Sequence, residues 1–329
     1  ISVMADEIST TTVYVDNVKD VVGKRDGSLK NPFESIQAAI DAATAGDTIL
    51  VSPGEYDVTY AEGDTFKHYL WIDNAVTIKA ADMTNKPILK AGYGGSQAGH
   101  QQQTVHITAD NVALDGMIIH SITDYPTDFT KAVEITNANY VQITNCEIYD
   151  EGRTAIYVGG NSVGKYTITD NYLDGAIVVA NGAGNGQNGD QAIISDNTIN
   201  GSISFTGKTG SGWDPNPIEN YPTITDNTIN GTANGMLINS RDADLEKLIS
   251  DDILNTIIEN NTFPEEVVGV VQDSYEYYGA DLQRKRLMLN PPILNENSGA
   301  YYMTIQDAID DAADGDTILV NSGKYSEDV

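Results

Sequence analysis

Ile168-Thr169-Asp170-Asn171-Tyr172-Leu173 is one of five copies of a six-residue phrase in this chain. Each copy begins and ends with an apolar residue around a mostly polar centre; the copies start at Ile143, Ile168, Ile194, Ile224 and Ile258. The starts lie 25, 26, 30 and 34 residues apart. A constant phrase with variable spacing is typical of a solenoid whose turns share one wall and differ in their loops.

Each repeat divides into three short strands. The clearest set is 132–136, 140–143 and 146–149, where alternation points Val133 and Ile135 inward. Equivalent first strands are expected at 104–107, 155–158, 176–179, 202–205, 235–238 and 267–271. The sequence therefore predicts an all-β protein, a parallel β-helix with three strands per coil and about seven to nine coils.

A short amphipathic helix is predicted ahead of the coils. Phe33, Ile36, Ile40 and Ala43 recur at helical spacing directly after Pro32. Such a helix would cap the first coil, whose apolar interior would otherwise be open to water.

The opening of the chain also carries a family resemblance. It contains, in order, Asp26-Gly27-Ser28, Asn31-Pro32-Phe33, Ile36-Gln37-Ala38-Ala39-Ile40, Gly46-Asp47-Thr48-Ile49 and Pro53-Gly54-Glu55-Tyr56. With the later repeats, these runs resemble the pectin-lyase-like right-handed parallel β-helix superfamily. The resemblance implies the fold, but that superfamily includes lyases, hydrolases, esterases, tailspikes, adhesins and surface-layer proteins, so function stays open.

The cap sequence occurs twice. Residues 35–56 and 304–325 are identical at fourteen of twenty-two positions. Because a cap opens a β-helix, the second copy predicts either the start of another module or a tail that docks on another copy of the chain. The expected assembly residues are Ile305, Ile309, Ile318, Val320 and Tyr325. The expected divisions are a cap and first coil (1–60), the β-helix (61–271), a closing segment and linker (272–300) and the second cap (301–329).

Composition narrows the function classes. Eighteen basic and forty-eight acidic residues give a formal charge of -30, which repels nucleic acid and anionic lipid. The single cysteine, Cys146, cannot form an intramolecular disulfide, and no apolar run approaches the roughly 20 residues of a membrane-spanning helix. The first residue is Ile1, as after removal of an export signal. We expect an extracellular or cell-surface protein with no nucleic-acid partner and no membrane insertion.

One polar column of the repeat is expected to stabilise the stack. Asn171, Asn197, Asn227 and Asn261 share one turn position, which Cys146 occupies in the first copy. Asparagine tolerates left-handed backbone, and its amide can bond to the next coil. The column resembles the asparagine ladder of the superfamily.

Two further columns carry ligand hypotheses. Asp170, Asp196 and Asp226 precede the asparagines, roughly 5 Å apart in a stack in register, and either point into solvent or share calcium ions. Three sequons at Asn200, Asn230 and Asn260 recur every 30 residues and would align glycans along one edge, although an Asn- and Thr-rich repeat also produces such triplets by chance.

A catalytic hypothesis comes from the outward column of the first strands. There His106, Glu134 and Tyr157 would be stacked neighbours, able to act as base, orienting group and acid; a solvated polar face is the alternative. Lys131 and Arg153 lie near enough in sequence to neutralise a substrate carboxylate. The chain lacks the Gly-His-Gly and paired-aspartate patterns of polygalacturonases and the dense Lys/Arg groove of a uronate lyase.

A long insertion, residues 206–221, offers a different surface. Trp213 and Tyr221 could stack on a sugar ring or pack within their own loop.

The sequence as a whole favours an assembly module of a surface-layer or adhesin-like protein whose partners are other copies of itself. A polysaccharide lyase or glycoside hydrolase working at His106, Glu134 and Tyr157 is the first alternative, and non-catalytic glycan binding at Trp213 is the second.

Overall fold

The computed structural model describes thirteen stretches of the chain: 11–58, 68–93, 102–123, 130–159, 165–180, 192–207, 222–231, 234–240, 256–264, 269–274, 283–288, 293–302 and 304–320. Their strands and helices, in chain order, are β1 Thr12–Val15, α1 Ile36–Ala42, β2 Thr48–Val51, β3 Glu55–Val58, β4 His68–Ile72, β5 Thr77–Ala80, β6 Ile88–Tyr93, β7 Gln102–Ile107, β8 Ala113–Asp115, β9 Ile118–Thr123, β10 Thr130–Thr136, β11 Val141–Thr144, β12 Glu147–Gly159, β13 Tyr166–Thr169, β14 Tyr172–Ala180, β15 Ile193–Ser195, β16 Thr198–Ile199, β17 Ile203–Gly207, β18 Thr223–Thr225, β19 Thr228–Ile229, β20 Asn234–Ser240, β21 Gly269–Ser274, β22 Gln283–Met288, β23 Ile293–Asn295, β24 Tyr301–Tyr302, α2 Ile305–Asp311 and β25 Ile318–Val320.

The repeated phrase begins in the most regular wall, which we call sheet 2. It is an eight-stranded parallel sheet in the order β1, β2, β5, β8, β11, β13, β15, β18. Strand pairing aligns one apolar residue from each coil, namely Val13, Ile49, Ile78, Leu114, Ile143, Ile168, Ile194 and Ile224. The even register explains why the phrase tolerates variable spacing, since inserted residues fall outside this wall.

The other two walls form one continuous fourteen-stranded sheet. Strands β12 and β14 are long enough to take part in both walls, each pairing with different strands at its two ends. We call the wall of β4, β7, β10, β17, β20 and β21 with the second halves of β12 and β14 sheet 1. Sheet 3 contains β3, β6, β9, β16 and β19 with their first halves. Parallel pairing of successive coils confirms the predicted parallel β-helix.

An asparagine ladder runs through the stack, as predicted. The Oδ1 atom of Asn197 accepts from the backbone N–H of Asn171 at 3.0 Å and from its side-chain amide at 2.9 Å. The side-chain amide of Asn197 also donates to the Ile168 carbonyl at 2.9 Å. Equivalent bonds join Cys146 to Asn171, Asn197 to Asn227 and Asn227 to Asn261. Burial of Asn171, Asn197 and Asn227 makes these bonds costly to lose.

The left-handed backbone lies one residue earlier than predicted. Positive φ angles of 54° to 59° occur at Asn145, Asp170, Asp196 and Asp226, and the ladder asparagines are absent from that set. Short polar side chains tolerate this conformation best. The left-handed backbone at these positions therefore explains why the aspartate column carries short polar residues.

The predicted cap helix is confirmed as α1. Ser35 begins it, with its hydroxyl accepting from the Ala38 N–H, and Ile36, Ala39 and Ile40 are buried against the first coil. Asp47 fixes the following turn because its carboxylate accepts hydrogen bonds from the backbone of Thr11 and Thr44.

The C-terminal part departs from the prediction in two places. The fifth phrase begins as a helical turn at 256–259 rather than a strand, although Asn261 still completes the ladder. The predicted linker contains β22, which pairs antiparallel with β21 and extends sheet 1. The end of that predicted linker supplies β23, on which β24 and β25 of the second cap pair in a small antiparallel sheet. In the described residues no helix is long and apolar enough to cross a membrane.

Candidate functional site

Four side chains form a row on the outer side of sheet 1. Strand pairing aligns Trp71 with His106, His106 with Glu134, and Glu134 with Tyr157 on four successive coils. Their inward neighbours in the same strands, such as Val105 and Val133, are fully buried. Because parallel strands lie about 4.8 Å apart, the row spans roughly 14 Å along the β-helix axis. We call these four residues the sheet 1 row.

The row continues with smaller residues toward the C-terminal end. Val178, Ser204, Leu237 and Val271 align with Tyr157 on the next coils. Among the described residues, the aromatic and ionisable side chains of the column are therefore confined to its first four coils.

Sequence reasoning missed Trp71. Its side chain is 49% exposed, and its indole N–H donates to the Thr108 hydroxyl at 2.9 Å. Its backbone N–H donates to Oε1 of Gln37 on α1 at 3.0 Å, so the cap helix helps to position this strand. The coil of Trp71 lacks the repeated phrase, which left only the short apolar and aromatic run of residues 68–72 as a signal.

Lys131 and Glu134 form a buried ion pair inside the row. The Lys131 Nζ atom lies 2.6 Å from Glu134 Oε1 and 3.8 Å from the centre of the Tyr157 ring. Lys131 is 9% exposed and Glu134 is 6% exposed. The lysine was expected to neutralise a substrate carboxylate, but here its charge is already balanced by Glu134 and by the ring face.

Two groups of the row, the imidazole of His106 and the phenol of Tyr157, are of the kind that moves protons. Burial raises the pKa of Tyr157, and the charge of Glu134 raises it further, so the phenol stays protonated and can donate. His106 Nε2 lies 2.6 Å from the Thr136 hydroxyl oxygen. A histidine and a protonated phenol on either side of a carboxylate can serve as proton acceptor and donor.

A second set of rings lies on sheet 3. His120 stacks on Tyr149 with ring centres 4.6 Å apart, and Tyr149 contacts Tyr172 at 5.7 Å. Burial lowers the pKa of His120, and the nearby charge of Lys90 lowers it further. His120 lies on β9 in sheet 3, which is a different wall from that of the sheet 1 row.

The sequon asparagines lie next to this set of rings. The Asn200 side-chain amide donates to the Tyr172 hydroxyl at 2.6 Å, and that of Asn230 donates to Asn200 Oδ1 at 2.9 Å. Asn260 is exposed at the end of the helical turn. Glycosylation of Asn200 or Asn230 would have to replace these hydrogen bonds, and it stays a prediction.

The remaining candidates do not converge on one place. Asp170, Asp196 and Asp226 are exposed, and no group of three or more His, Cys, Asp or Glu in the described stretches could hold a metal ion. The calcium hypothesis stays a prediction. Trp213, Tyr221 and Tyr325 lie outside the described residues, and only the backbone of Arg153 is described.

Comparison with known proteins identifies a family but no activity. A family model described as a protein of unknown function, DUF1565, matches residues 21–282, and no curated protein matches the chain. Among solved structures, pectin methylesterase PemA from Erwinia chrysanthemi is 13% identical with a TM-score of 0.35, covering 72% of this chain and 66% of its own. Alginate lyase from Paenibacillus sp. str. FPU-7 is 13% identical with a TM-score of 0.33, covering 73% and 94%.

A third similar structure is the pectate lyase Pel9A, 15% identical with a TM-score of 0.32. The match covers 71% of this chain and 64% of the lyase. Likenesses this weak say nothing about the substrate of this chain.

Proposed function

Because this chain belongs to the DUF1565 family of proteins of unknown function, we propose a function from its own residues: the sheet 1 row binds a polysaccharide strand lying along the β-helix axis. The observation that carries the proposal is the alignment of an exposed indole, Trp71, with Tyr157 at the two ends of a straight polar row. Aromatic rings at the two ends supply apolar faces, which suit the rings of a sugar polymer, and the protonated Tyr157 hydroxyl supplies a hydrogen-bond donor.

Charge restricts the proposed ligand to an uncharged or esterified polysaccharide. The chain carries a formal charge of -30, which repels a polyanion. Inside the row, Lys131 is paired with Glu134 at 2.6 Å, and its charge is therefore balanced before a ligand arrives. A free uronate polymer would meet a net negative surface.

Cleavage of the bound strand is the second candidate function. In an elimination, the His106 imidazole would take the proton from the carbon next to an esterified carboxyl group. A carbon–carbon double bond forms, the glycosidic carbon–oxygen bond breaks, and the Tyr157 phenol donates its proton to the leaving oxygen. The raised pKa of Tyr157 favours the donor role. Glycoside hydrolysis is less well supported, because it generally uses two carboxyl groups and the row contains one, Glu134.

The assembly role stays a separate prediction. A surface-layer or adhesin-like module that binds other copies of itself, an extracellular location and shared calcium ions all agree with the sequence. These predictions rest on the sequence and are independent of the polysaccharide-binding proposal.

Affinity electrophoresis through gels containing galactan, glucomannan, methyl-esterified pectin or polygalacturonate would test the proposal. We expect retardation by at least one of the first three polymers, and about fivefold weaker binding after Trp71→Ala, corresponding to about 1 kcal/mol for one aromatic contact. The matched control is Tyr301→Ala, since Tyr301 is 52% exposed but lies in the second cap. Equal effects of the two substitutions would refute the proposal.

Cleavage needs its own measurement. Release of unsaturated ends from methyl-esterified pectin, lost in both His106→Ala and Tyr157→Phe, would support the elimination. Binding without release of any product would leave the protein as a binding module and reject the catalytic candidate.

A further inference from the structure

The two caps of this chain are similar in sequence but differ in what covers them. In the first cap, Ile40 is 1% exposed and Val51 is fully buried, because a coil of the β-helix packs on them. The equivalent residues of the second cap, Ile309 and Val320, are 46% and 39% exposed. Within the described part of the chain, the second cap thus presents the same apolar residues without the coil that covers them in the first.

The first cap shows which kind of strand packs beside β2, and therefore which kind would fit beside its equivalent in the second cap. Strand β5 adds to the edge of β2 in parallel, pairing Thr48 with Thr77 through Val51 with Ala80. In the second cap β25 takes the place of β2, and within the described residues it pairs only with β23, on one edge. One edge of β25 is therefore available to another strand.

Residues that make polar contacts in the first cap are repeated in the sequence of the second. The Gly46 N–H donates to the Ala75 carbonyl at 2.7 Å, and the Asp47 carbonyl accepts from the Thr77 N–H at 3.0 Å. These bonds attach the turn after α1 to the backbone of the coil. Gly315 and Asp316 repeat this dipeptide in the second cap.

A glutamine side chain makes a further backbone contact in the first cap. The Gln37 side chain on α1 binds the backbone of Trp71 in both directions, accepting from its N–H at 3.0 Å and donating to its carbonyl at 3.2 Å. Gln306 occupies the same place on α2, and like Gln37 it donates to the aspartate four residues later. The groups that recognise a coil backbone are thus the same in both caps.

We propose that the face formed by α2 and β25 is a docking site for the first coil of a second β-helix built like this one. The docked coil adds a parallel strand to the free edge of β25. It covers Ile309 and Val320, and its backbone bonds to Gln306, Gly315 and Asp316. The chemistry recognised is an apolar-faced strand with its backbone exposed along one edge, and the interface is a second copy of the one between α1, β2 and β5.

The test attaches a second β-helix to the second cap through the same connection by which the first β-helix follows the first cap. A chain is made in which Tyr325, the equivalent of Tyr56, is followed by a second copy of residues 57–329. Amide hydrogen exchange of peptides covering 304–320 is compared with that of the original chain. We expect exchange in α2 and β25 to slow at least tenfold, approaching the rates of α1 and β2.

Matched variants of the extended chain test the interface itself. Ile309→Gln combined with Val320→Gln should return the exchange of 304–320 to that of the original chain. Leu319→Gln should not, because Leu319 is 46% exposed on the opposite side of the same strand. Protection of the first β-helix reports that each variant is folded.

Three results would overturn the proposal. The first is unchanged exchange in 304–320 while the added coils are protected by themselves. The second is an added segment that exchanges as an unfolded chain, and the third is an equal effect of the two sets of substitutions. None of these outcomes depends on polysaccharide binding.

Discussion

At the scale of single residues, the pair Lys131 and Glu134 is the most constrained part of the candidate site. Their side chains are 11% and 7% exposed, and the charged atoms lie 2.6 Å apart. Removing one member of a buried pair leaves an uncompensated charge, whereas removing both does not. A substitution of either residue should therefore change both the free energy of unfolding and the charge of the sheet 1 row.

We predict that Lys131→Met destabilises the protein by about 3–5 kcal/mol in urea unfolding. Adding Glu134→Gln should recover most of that loss, because no buried charge then remains. The control is Lys79→Met, which breaks a more exposed ion pair with Asp115 and should cost less than about 1 kcal/mol. A double variant as unstable as the single variant would contradict this explanation.

Asp47 gives the fold a defined acid sensitivity. Burial alone would raise its pKa, but hydrogen bonds from Thr11 and Thr44 outweigh burial and lower the pKa from 3.8 to about 2. A carboxyl group with a lower pKa in the folded state stabilises folding above its unfolded value and loses that effect as the pH falls. Unfolding should thus become easier between about pH 4 and pH 2.

We predict that Asp47→Asn lowers stability at neutral pH and flattens its decline between pH 4 and pH 2, measured by urea unfolding at each pH. The control is Asp41→Asn, which changes an exposed carboxylate on the neighbouring helix. Should Asp47→Asn keep the acid dependence of the unchanged chain, the stabilisation must come from other groups.

At the scale of elements, the asparagine ladder holds the coils in register. Asn197, for example, accepts twice from Asn171 and donates to the Ile168 carbonyl, so one side chain makes three hydrogen bonds to the preceding coil. The bonds are buried, and water cannot replace a missing partner there.

We predict that Asn197→Ala destabilises the protein by about 3 kcal/mol or more, since two donors of Asn171 lose their acceptor at about 1–3 kcal/mol each. Asn230→Ala is the control, because it removes a hydrogen bond to Asn200 between half-buried side chains. That substitution should cost less than about 1.5 kcal/mol in the same urea titration. Similar losses for the two would count against the ladder.

The sequence predicted those elements whose pattern repeats. Periodicity located sheet 2, the ladder and the neighbours His106, Glu134 and Tyr157, because all of them follow from one register. It could not locate Trp71, whose coil lacks the phrase, nor the ion pair of Lys131, which depends on side-chain packing within one strand. The helical turn at 256–259 was missed because its sequence still supplies the Asn261 that the ladder needs.

At the scale of the whole molecule, the walls of the β-helix differ in what their residues do. Sheet 2 supplies the apolar register, the turn after it supplies the ladder, and sheet 1 presents the row of Trp71, His106, Glu134 and Tyr157. The even spacing of the coils is what makes the row straight. A straight row on a rigid wall suits an extended polymer better than a compact ligand.

Tryptophan fluorescence tests this central claim most directly, because the chain contains two tryptophans, Trp71 in the row and Trp213 in the long insertion. In a Trp213→Phe variant, the emission reports on Trp71 alone, and in a Trp71→Phe variant it reports on Trp213 alone. We predict that a saturating polysaccharide shifts the emission of Trp71 and leaves that of Trp213 unchanged. A response confined to Trp213, or binding to which neither tryptophan responds, would contradict a binding site on sheet 1.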